Sequence, residues 1–389
     1  MAGARPHFRD FLTVSKIPIF IVHVIHHLHT GGLENGLVNL INHLPRDRFR
    51  HAVVCVEDFS DFKQRIERDD VEVYAMHRSR IGVWRLRWRL LKLLSELKPD
   101  IVHSRNMSGL DALLPARSLG IKTIHSEHGF DVDDVRGQAK KKAWLRRLHS
   151  PLVGRYVTVS RDLERILIRE SGIATQRVKQ IYNGVDTDVF FPKARRCLHL
   201  LPIEWQREDL FIVGTVGRVQ PIKDQATLIR AFAEVLRRNP IRLSKLGLII
   251  VGDGPALDEL RSLASDLGLA ASVWFTGARH DIAALLQSMD LFVLPSLNEG
   301  ISNTLLEAMA CGLPVLATAV GGNVELLVEN VVGSSFAPGD HGSLAAMICA
   351  YVEDPDRLRH HSAAARRRAV ENFSLQAMVS SYQNVYESI

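Results

Sequence analysis

Short apolar, β-branched runs recur along the chain. Each is followed by a stretch whose apolar residues fall three or four positions apart. In the first half the runs lie at 20–25, 52–56, 71–75, 101–103, 122–125, 156–159 and 178–181, with helix-like stretches such as 33–43 and 84–97 between them. A second series starts at Phe211 and continues at 246–251, 273–275, 291–294 and 314–317, interleaved with helical patterns at 225–238, 256–267, 281–287 and 304–310. Such alternation predicts βαβ units and a parallel sheet. Runs free of polar residues predict sheets covered on both faces.

The segment 193–208 breaks both series, with Pro202 and mixed charge, and is expected to link two domains spanning 17–192 and 209–370. Residues 371–389 hold a last helix, at about 375–387, with no strand after it, and residues 1–16 read as a loose tail. The pattern therefore predicts an α/β protein of two Rossmann-like, doubly wound domains. Ligand crevices of such domains lie at the C-terminal ends of the strands. If the two ends face each other, they form one central cleft, a preferred ligand site.

Composition narrows the class. Apolar residues make up 46% and charged residues 24%, the balance of an ordinary soluble globular chain. There is no run of 18 or more apolar residues, so no transmembrane helix is expected. The N-terminus lacks the continuous apolar core of a signal peptide, which predicts a cytoplasmic protein or one on that side of a membrane. Cys55, Cys197, Cys311 and Cys349 are scattered without a CxxC pair, which argues against a disulfide framework or a zinc-cysteine site. Residues 1–190 hold 31 Lys+Arg against 22 Asp+Glu, a net +9, while the remainder carries −3. A basic first half attracts anions, whether phosphates, anionic lipid or nucleic acid.

Candidate chemistry concentrates in three places. In 296–312, SLNEGISNTLLEAMACG, Ser302 and Asn303 are good N-cap residues for a helix starting near Thr304. Free amides and the macrodipole at such a start favour an anion, and Gly300 permits close backbone approach. Glu299 precedes this helix and Glu307 lies inside it. Eight residues of helical rise would separate them by about 12 Å, room for a diphosphate between a sugar and a ribose. In TVGRVQPIKD, 215–224, Gly217 suits a strand-to-loop turn, and Arg218 and Lys223 bring two cations able to neutralise a diphosphate leaving group. Near the N-terminus, Gly31 and Gly32 open a helix, a possible anion turn.

Histidines gather at His23, His26, His27 and His29, but no carboxylate or cysteine spacing supports a metal site, and none is expected. His128, in IHSEHGF, sits just after a strand at the crevice end, where a neutral imidazole could hydrogen-bond a sugar. VGDGPALDEL carries G-x-G, but Leu257 stands where a third glycine would complete a dinucleotide fingerprint. Neither a P-loop nor a G-x-S-x-G elbow is present. The basic amphipathic stretch 78–98 contains Trp84 and Trp88, with Arg85, Arg89, Lys92 and Glu96 on one polar face. A buried interdomain or core helix with a solvated stripe is the favoured expectation. The alternative is a membrane-surface contact, which KKKAWLRR at 140–147 strengthens.

Taken in order, GGLE at 31–34, SEHG at 126–129, NGVD at 183–186, VGRVQPIKD at 216–224, VGDGP at 251–255 and EGISNTLLE at 299–307 resemble glycosyltransferase family 4, retaining enzymes of the GT-B fold. The last fragment matches the family's E-x7-E signature, and the resemblance spans nearly the whole chain. It implies a nucleotide-diphosphate sugar donor and a glycan or lipid-linked acceptor. No cofactor, catalytic metal or nucleic-acid partner is implied. By the same resemblance, Gly32 and its neighbour Gly31 approach the donor phosphate, and His128 sits near the transferred sugar. Arg218 and Lys223, beside Gly217, bind the diphosphate, and Glu299 contacts sugar hydroxyls. The backbone from Gly300 and Ile301 through Ser302, Asn303, Thr304 and Leu305 touches sugar or phosphate. Glu307 holds the ribose, and Gly277 and Arg279 lie near the base. The last helix crosses back onto the first domain.

Many members carry Pro within the E-x7-E stretch where this chain has Ser302. Surface-polysaccharide sugar transferases are the nearest type. Two other classes compete: a noncatalytic nucleotide-sugar-binding partner of another transferase, and a Rossmann dehydrogenase, which the incomplete glycine fingerprint disfavours.

Overall fold

The computed structural model describes residues 17–129, 140–193, 196–238 and 245–389. The expected tail 1–16 lies outside them. The first sheet has seven strands: β1 (Ile19–Ile25), β2 (Phe49–Cys55), β3 (Glu72–Ala75), β4 (Ile101–Arg105), β5 (Lys122–Glu127), β6 (Arg155–Thr158) and β7 (Val178–Gln180). They lie in the order β3-β2-β1-β4-β5-β6-β7. The second sheet comprises β8 (Phe211–Val216), β9 (Leu246–Val251), β10 (Val273–Gly277), β11 (Leu291–Leu294), β12 (Val315–Thr318) and β13 (Gly333–Phe336), in the order β10-β9-β8-β11-β12-β13. Every ladder between these strands is parallel. Strand order reverses beside β1 in one sheet and beside β8 in the other, so each domain is doubly wound.

Burial on both faces explains the uninterrupted runs. Val22 and Val24 of β1 face the helix Arg78–Leu97, while Ile21 faces the opposite layer. β13, GSSF, has no apolar run to announce it. Gly333 is required there, since a Cβ would stand 1.7 Å from the Val315 carbonyl of β12. Two helices beyond the expected set follow, His341–Glu353 and Pro355–Asn372. Their N-termini are capped by Asp340, accepting from Ser343 N at 3.0 Å, and by Asp354, accepting from Arg357 N at 2.9 Å.

The connecting segment is packed rather than loose. Leu201 and Trp205 belong to the second domain's core, and a Cβ on Gly247 of β9 would sit 2.8 Å from the Trp205 ring. The last helix, Leu375–Glu387, crosses back. Leu375, Met378, Val379, Tyr382, Val385 and Tyr386 pack against Ile21, Phe49, Ile101 and Ile124 of the first sheet. The two crossings between domains run side by side. Val185 N donates to Phe373 O, and Leu375 N to Val185 O, both at 2.9 Å.

The helix Arg78–Leu97 departs from the core-helix expectation. It breaks at Gly82 (φ 74°) and buries only the stripe Leu86, Leu90 and Leu94. Trp84 and Trp88, four residues apart, are 81% and 64% exposed. Trp144 and Leu148 on Lys140–His149 are exposed as well.

Candidate active site

The C-terminal ends of the two sheets meet. β5 runs into His128 and Gly129, and β11 runs into the loop that carries Glu299 and Gly300. A Cβ on Gly300 would stand 2.3 Å from the His128 carbonyl oxygen and 2.9 Å from the Gly129 Cα. Only glycine permits that contact between the domains. Behind it, a Cβ on Gly321 would fall 1.8 Å from the Glu299 carbonyl and one on Gly322 would fall 2.1 Å from the Gly300 carbonyl. The loop is therefore clamped from both sides by backbone.

The cations and the glutamate come from adjacent strand ends of the second sheet. Lys223 Nζ donates to Glu299 Oε1 at 2.5 Å, and Leu297 N donates to the Ile222 carbonyl at 2.8 Å. Together these bonds strap the loop after β8 to the loop after β11. Arg218 is exposed on the same side. Its charge acts on Glu34 of the first domain, whose carboxylate folds over Gly31 so closely that a Cβ there would lie 2.2 Å from Glu34 Oε2. Burial holds the Glu34 carboxyl above its ordinary range, and Arg218, His27 and His29 oppose that rise.

The helix Asn303–Ala310 starts at the cleft. Ser302 is its N-cap, accepting from Leu305 N at 3.3 Å, so one of the first amides is taken by the chain itself. Ser302 also lies 3.1 Å, oxygen to oxygen, from the Thr304 hydroxyl. The side chains of Ile301 and Leu305 are buried in the core, which leaves their backbone as the only part able to meet a ligand. Because the helix begins only at Asn303, a loop rather than helical rise sets the spacing of Glu299 from Glu307. Asn303 has a bridging role that the sequence did not suggest. Its Nδ2 donates to the Gly32 carbonyl at 2.9 Å, and its Oδ1 accepts from Asn183 Nδ2 at 2.7 Å. One amide thus joins the first-domain glycine turn, the NGVD segment and the second-domain helix.

Gly217, Gly252 and Gly277 close the ends of β8, β9 and β10. A Cβ on Gly252 would be 1.9 Å from the Gly217 carbonyl, and Gly252 N donates to Gly277 O at 2.9 Å. They form a floor without side chains beside the cations. Arg279 is held by Asp281 through bonds of 2.8 and 2.6 Å.

Two groups carry large ionisation shifts. Burial, reinforced by Arg105, pushes the His128 imidazole down to about 3, with Glu127 opposing, so the ring is neutral at physiological pH. Its Nε2 is buried and has no hydrogen-bond partner among the described residues. Burial pushes the Glu307 carboxyl up to about 8, against the opposing charge of Arg65 from the first domain.

Sequence reasoning missed four contributors: Glu34, Arg65, Asn183 and Glu325. Glu325 reaches across the domains to accept from the backbone of Arg161 and Asp162, both at 2.9 Å, at the start of the helix Arg161–Arg169. Glu34 and Asn183 stood inside the quoted motifs. Arg65 and Glu325 left no local signal, since the carboxyl that Arg65 acts on and the amides that Glu325 caps lie in the other domain.

Comparison with known proteins agrees with this architecture. A profile described as Glycosyltransferase Family 4 matches residues 30–189, and one described as Glycosyl transferases group 1 matches residues 203–368. A GDP-mannose-dependent alpha-mannosyltransferase of Mycobacterium tuberculosis is 30% identical over 385 residues, covering 92% of this chain and 93% of its own. The Escherichia coli UDP-Gal:alpha-D-GlcNAc-diphosphoundecaprenol alpha-1,3-galactosyltransferase is 27% identical over 384 residues, covering 96% and 97%. The crystal structure of Anabaena HepE in complex with UDP-glucose superposes with a TM-score of 0.82 at 23% identity, over 95% of this chain and all of that one. With two parallel-sheet domains meeting at their strand ends and a 30%-identical relative that covers 92% of it, this chain belongs to glycosyltransferase family 4, with the GT-B fold.

Proposed function

We propose that this glycosyltransferase moves a hexose-type sugar from a nucleotide-diphosphate donor to a glycan or lipid-linked acceptor in surface polysaccharide assembly. It does so with retention of configuration and without a catalytic metal. One arrangement carries the reading: the Lys223–Glu299 pair at 2.5 Å and the capped helix start after Gly300 stand directly against the His128 strand end of the other domain.

In this reading the diphosphate lies between Arg218, Lys223 and the backbone from Gly300 to Leu305, above the floor of Gly217 and Gly277. Glu299 holds sugar hydroxyls and orients Lys223. Glu307 takes the ribose, Arg279 lies toward the base, and Gly31 and Gly32 close over the phosphate from the opposite domain. The bond from the anomeric carbon to the phosphate oxygen breaks first, and its electron pair leaves with the diphosphate. The cations and helix amides stabilise that charge more in the transition state than in the ground state. The acceptor hydroxyl then attacks from the same face and passes its proton to the departing phosphate. Neutral His128 offers its unpaired Nε2 to the sugar. A charged imidazole there would repel the developing oxocarbenium.

The Escherichia coli relative, by its name, uses a diphosphoundecaprenol acceptor, which supports a lipid-linked acceptor here. Exposed Trp84, Trp88 and Trp144, set among the cations of a basic first domain, support contact with an anionic membrane surface from the cytoplasmic side. The relatives' names give different nucleotides, UDP and GDP, so the donor is to be found by screening UDP-, GDP- and ADP-sugars for protection against thermal unfolding. The decisive test is Lys223→Ala with the donor so identified. Turnover unchanged at normal donor affinity would sink the mechanism. A wild-type chain that binds donor but never releases nucleotide diphosphate would mark a noncatalytic partner instead.

A further inference from the structure

The histidine-rich loop after β1 is not used by the sugar-transfer chemistry. Its backbone is ordered by a continuation of the β1–β2 ladder. Val56 N donates to Ile25 O at 2.8 Å, Glu57 N to His26 O at 2.9 Å, Leu28 N to Asp58 O at 3.2 Å, and Ser60 N to Leu28 O at 3.2 Å. Leu28 pairs with Phe59 in a parallel bridge and is fully buried. In extended backbone, residues on either side of a buried one point together to the opposite face. His27 and His29 therefore share one face, with rings stacked 4.9 Å apart at 20°. The same bridge delivers Asp58 beside them. Its Oδ1 lies 3.0 Å from His27 Nδ1 and 3.2 Å from His29 Nε2.

We infer that His27, His29 and Asp58 form a binding site for a divalent transition-metal ion, of which Zn²⁺ suits the donor set best. All three ligand atoms lie within 4.8 Å of one another. Tetrahedral zinc with bonds of about 2.0 Å places neighbouring ligand atoms about 3.3 Å apart. The two distances to Asp58 are close to that edge, so the metal enters with small side-chain rotations. Two imidazoles and one carboxylate leave the fourth position to water. The half-exposed side chains make the ion exchangeable. Imidazole nitrogen favours zinc over magnesium or calcium, which prefer all-oxygen sites.

The ion ties the loop after β1 to the loop after β2. His29 is two residues before Gly31, and both histidines already act on Glu34 of the same turn. A bound cation thus fixes the Gly31–Gly32 turn without entering the transfer step. This inference stands apart from the sugar-transfer reading, because binding is measured with no donor present.

The test uses the full-length, tag-free chain after chelator treatment. Zn²⁺ is titrated calorimetrically, Co²⁺ serves as an absorbing substitute, and hydrogen exchange is followed over residues 26–34. The wild type is expected to bind one Zn²⁺ per chain, to give the visible bands of four-coordinate Co²⁺, and to slow exchange in that loop. His29→Ala and Asp58→Ala, at exposed positions, are expected to keep the wild-type melting curve in chelator. They should lose at least about tenfold in affinity and lose the slowed exchange. His43→Ala, whose ring meets the Asn39 carbonyl of its own helix, should behave as wild type. Absence of saturable one-to-one binding, or wild-type affinity in both loop variants, would overturn the site. Binding that leaves exchange of 26–34 unchanged would overturn its effect on the glycine turn.

Discussion

The two strand-end surfaces that face each other share a topology and differ in chemistry. At the first sheet's end the polar groups are buried and bonded to one another. Arg105, 2% exposed, donates from Nη1 toward His23 Nδ1 at 3.1 Å. His103 meets the Tyr386 hydroxyl at 2.8 Å, and Arg146 holds Glu127 at 2.7 Å. Burial and the Arg105 charge hold His23 and His103 well below the ordinary imidazole range, so around Arg105 that wall is built from neutral rings, beside the buried Arg146–Glu127 pair. At the second sheet's end, bare glycine backbone stands beside a lysine, an arginine and a helix start. One wall is rigid and uses hydrogen bonds. The other presents its cations to the cleft. In the proposed mechanism that difference has a use: the domain that stabilises the leaving group needs reachable cations, and its partner needs shape and fixed donors.

That contrast can be broken by substitution on either side. The largest effect is expected from Lys223→Ala: about a 10²–10³-fold loss in kcat with donor binding retained, measured by release of nucleotide diphosphate. Equal losses from Lys223→Ala and from a neutral-wall variant would erase the distinction between the two surfaces. Next comes Gly300→Ala. Its Cβ would meet the His128 carbonyl at 2.3 Å and force the walls apart. A loss of about 2–3 kcal/mol in chemical denaturation, with a raised donor KM, is expected. An alanine variant as stable as wild type would show the walls are not in contact in solution.

His128→Ala should cost about tenfold to a hundredfold in kcat. Since the imidazole is held near 3, the wild-type rate should show no step near the usual histidine range between pH 5 and 8. A step that disappears in the variant would mean that His128 titrates, and that the first wall is not neutral.

Glu307 sharpens the comparison through stability. Its carboxyl is raised to about 8 in the folded chain, so the native state binds the proton more tightly than the unfolded one. The native chain therefore loses stability as pH climbs from the ordinary carboxylate range to about 8, and no further above it. Glu307→Gln should remove that loss. The variant's advantage should open across this window to on the order of 2 kcal/mol after solvent screening. An advantage independent of pH would place Glu307 in contact with solvent or with Arg65. The smallest effect concerns the outer face of the first domain. Trp84→Ala with Trp88→Ala should weaken sedimentation with anionic vesicles severalfold and leave turnover on a soluble acceptor unchanged. Unaltered vesicle binding would remove those tryptophans from any membrane contact.

The local pattern carried much of this. Strands β8, β9 and β11 begin where the apolar runs begin, and the last helix occupies the expected residues. Ser302 caps the helix it was expected to cap, Glu299, Arg218 and Lys223 fall in the loops after β11 and β8, and Glu307 lies within the helix as expected. What escaped was of two kinds. β13 is short and polar because it lies at an edge, and its one requirement, Gly333, is set by the carbonyl of a neighbouring strand. Trp84 and Trp88 had the spacing of a core stripe, and periodicity alone does not say which of two apolar stripes faces the sheet.

The sequence by itself determined the alternation of strand and helix, the family, and which residues stand at the C-terminal ends of strands. All of these depend on neighbours a few positions apart. Only the tertiary structure decided that Asn303 bridges Gly32 to Asn183, that Glu325 caps a helix of the other domain, and that Asp58 joins His27 and His29. Each of those contacts joins residues from 29 to 271 positions apart. Such pairs leave no period in the chain. They exist because strand order places distant segments side by side and because burial makes every polar group seek a partner.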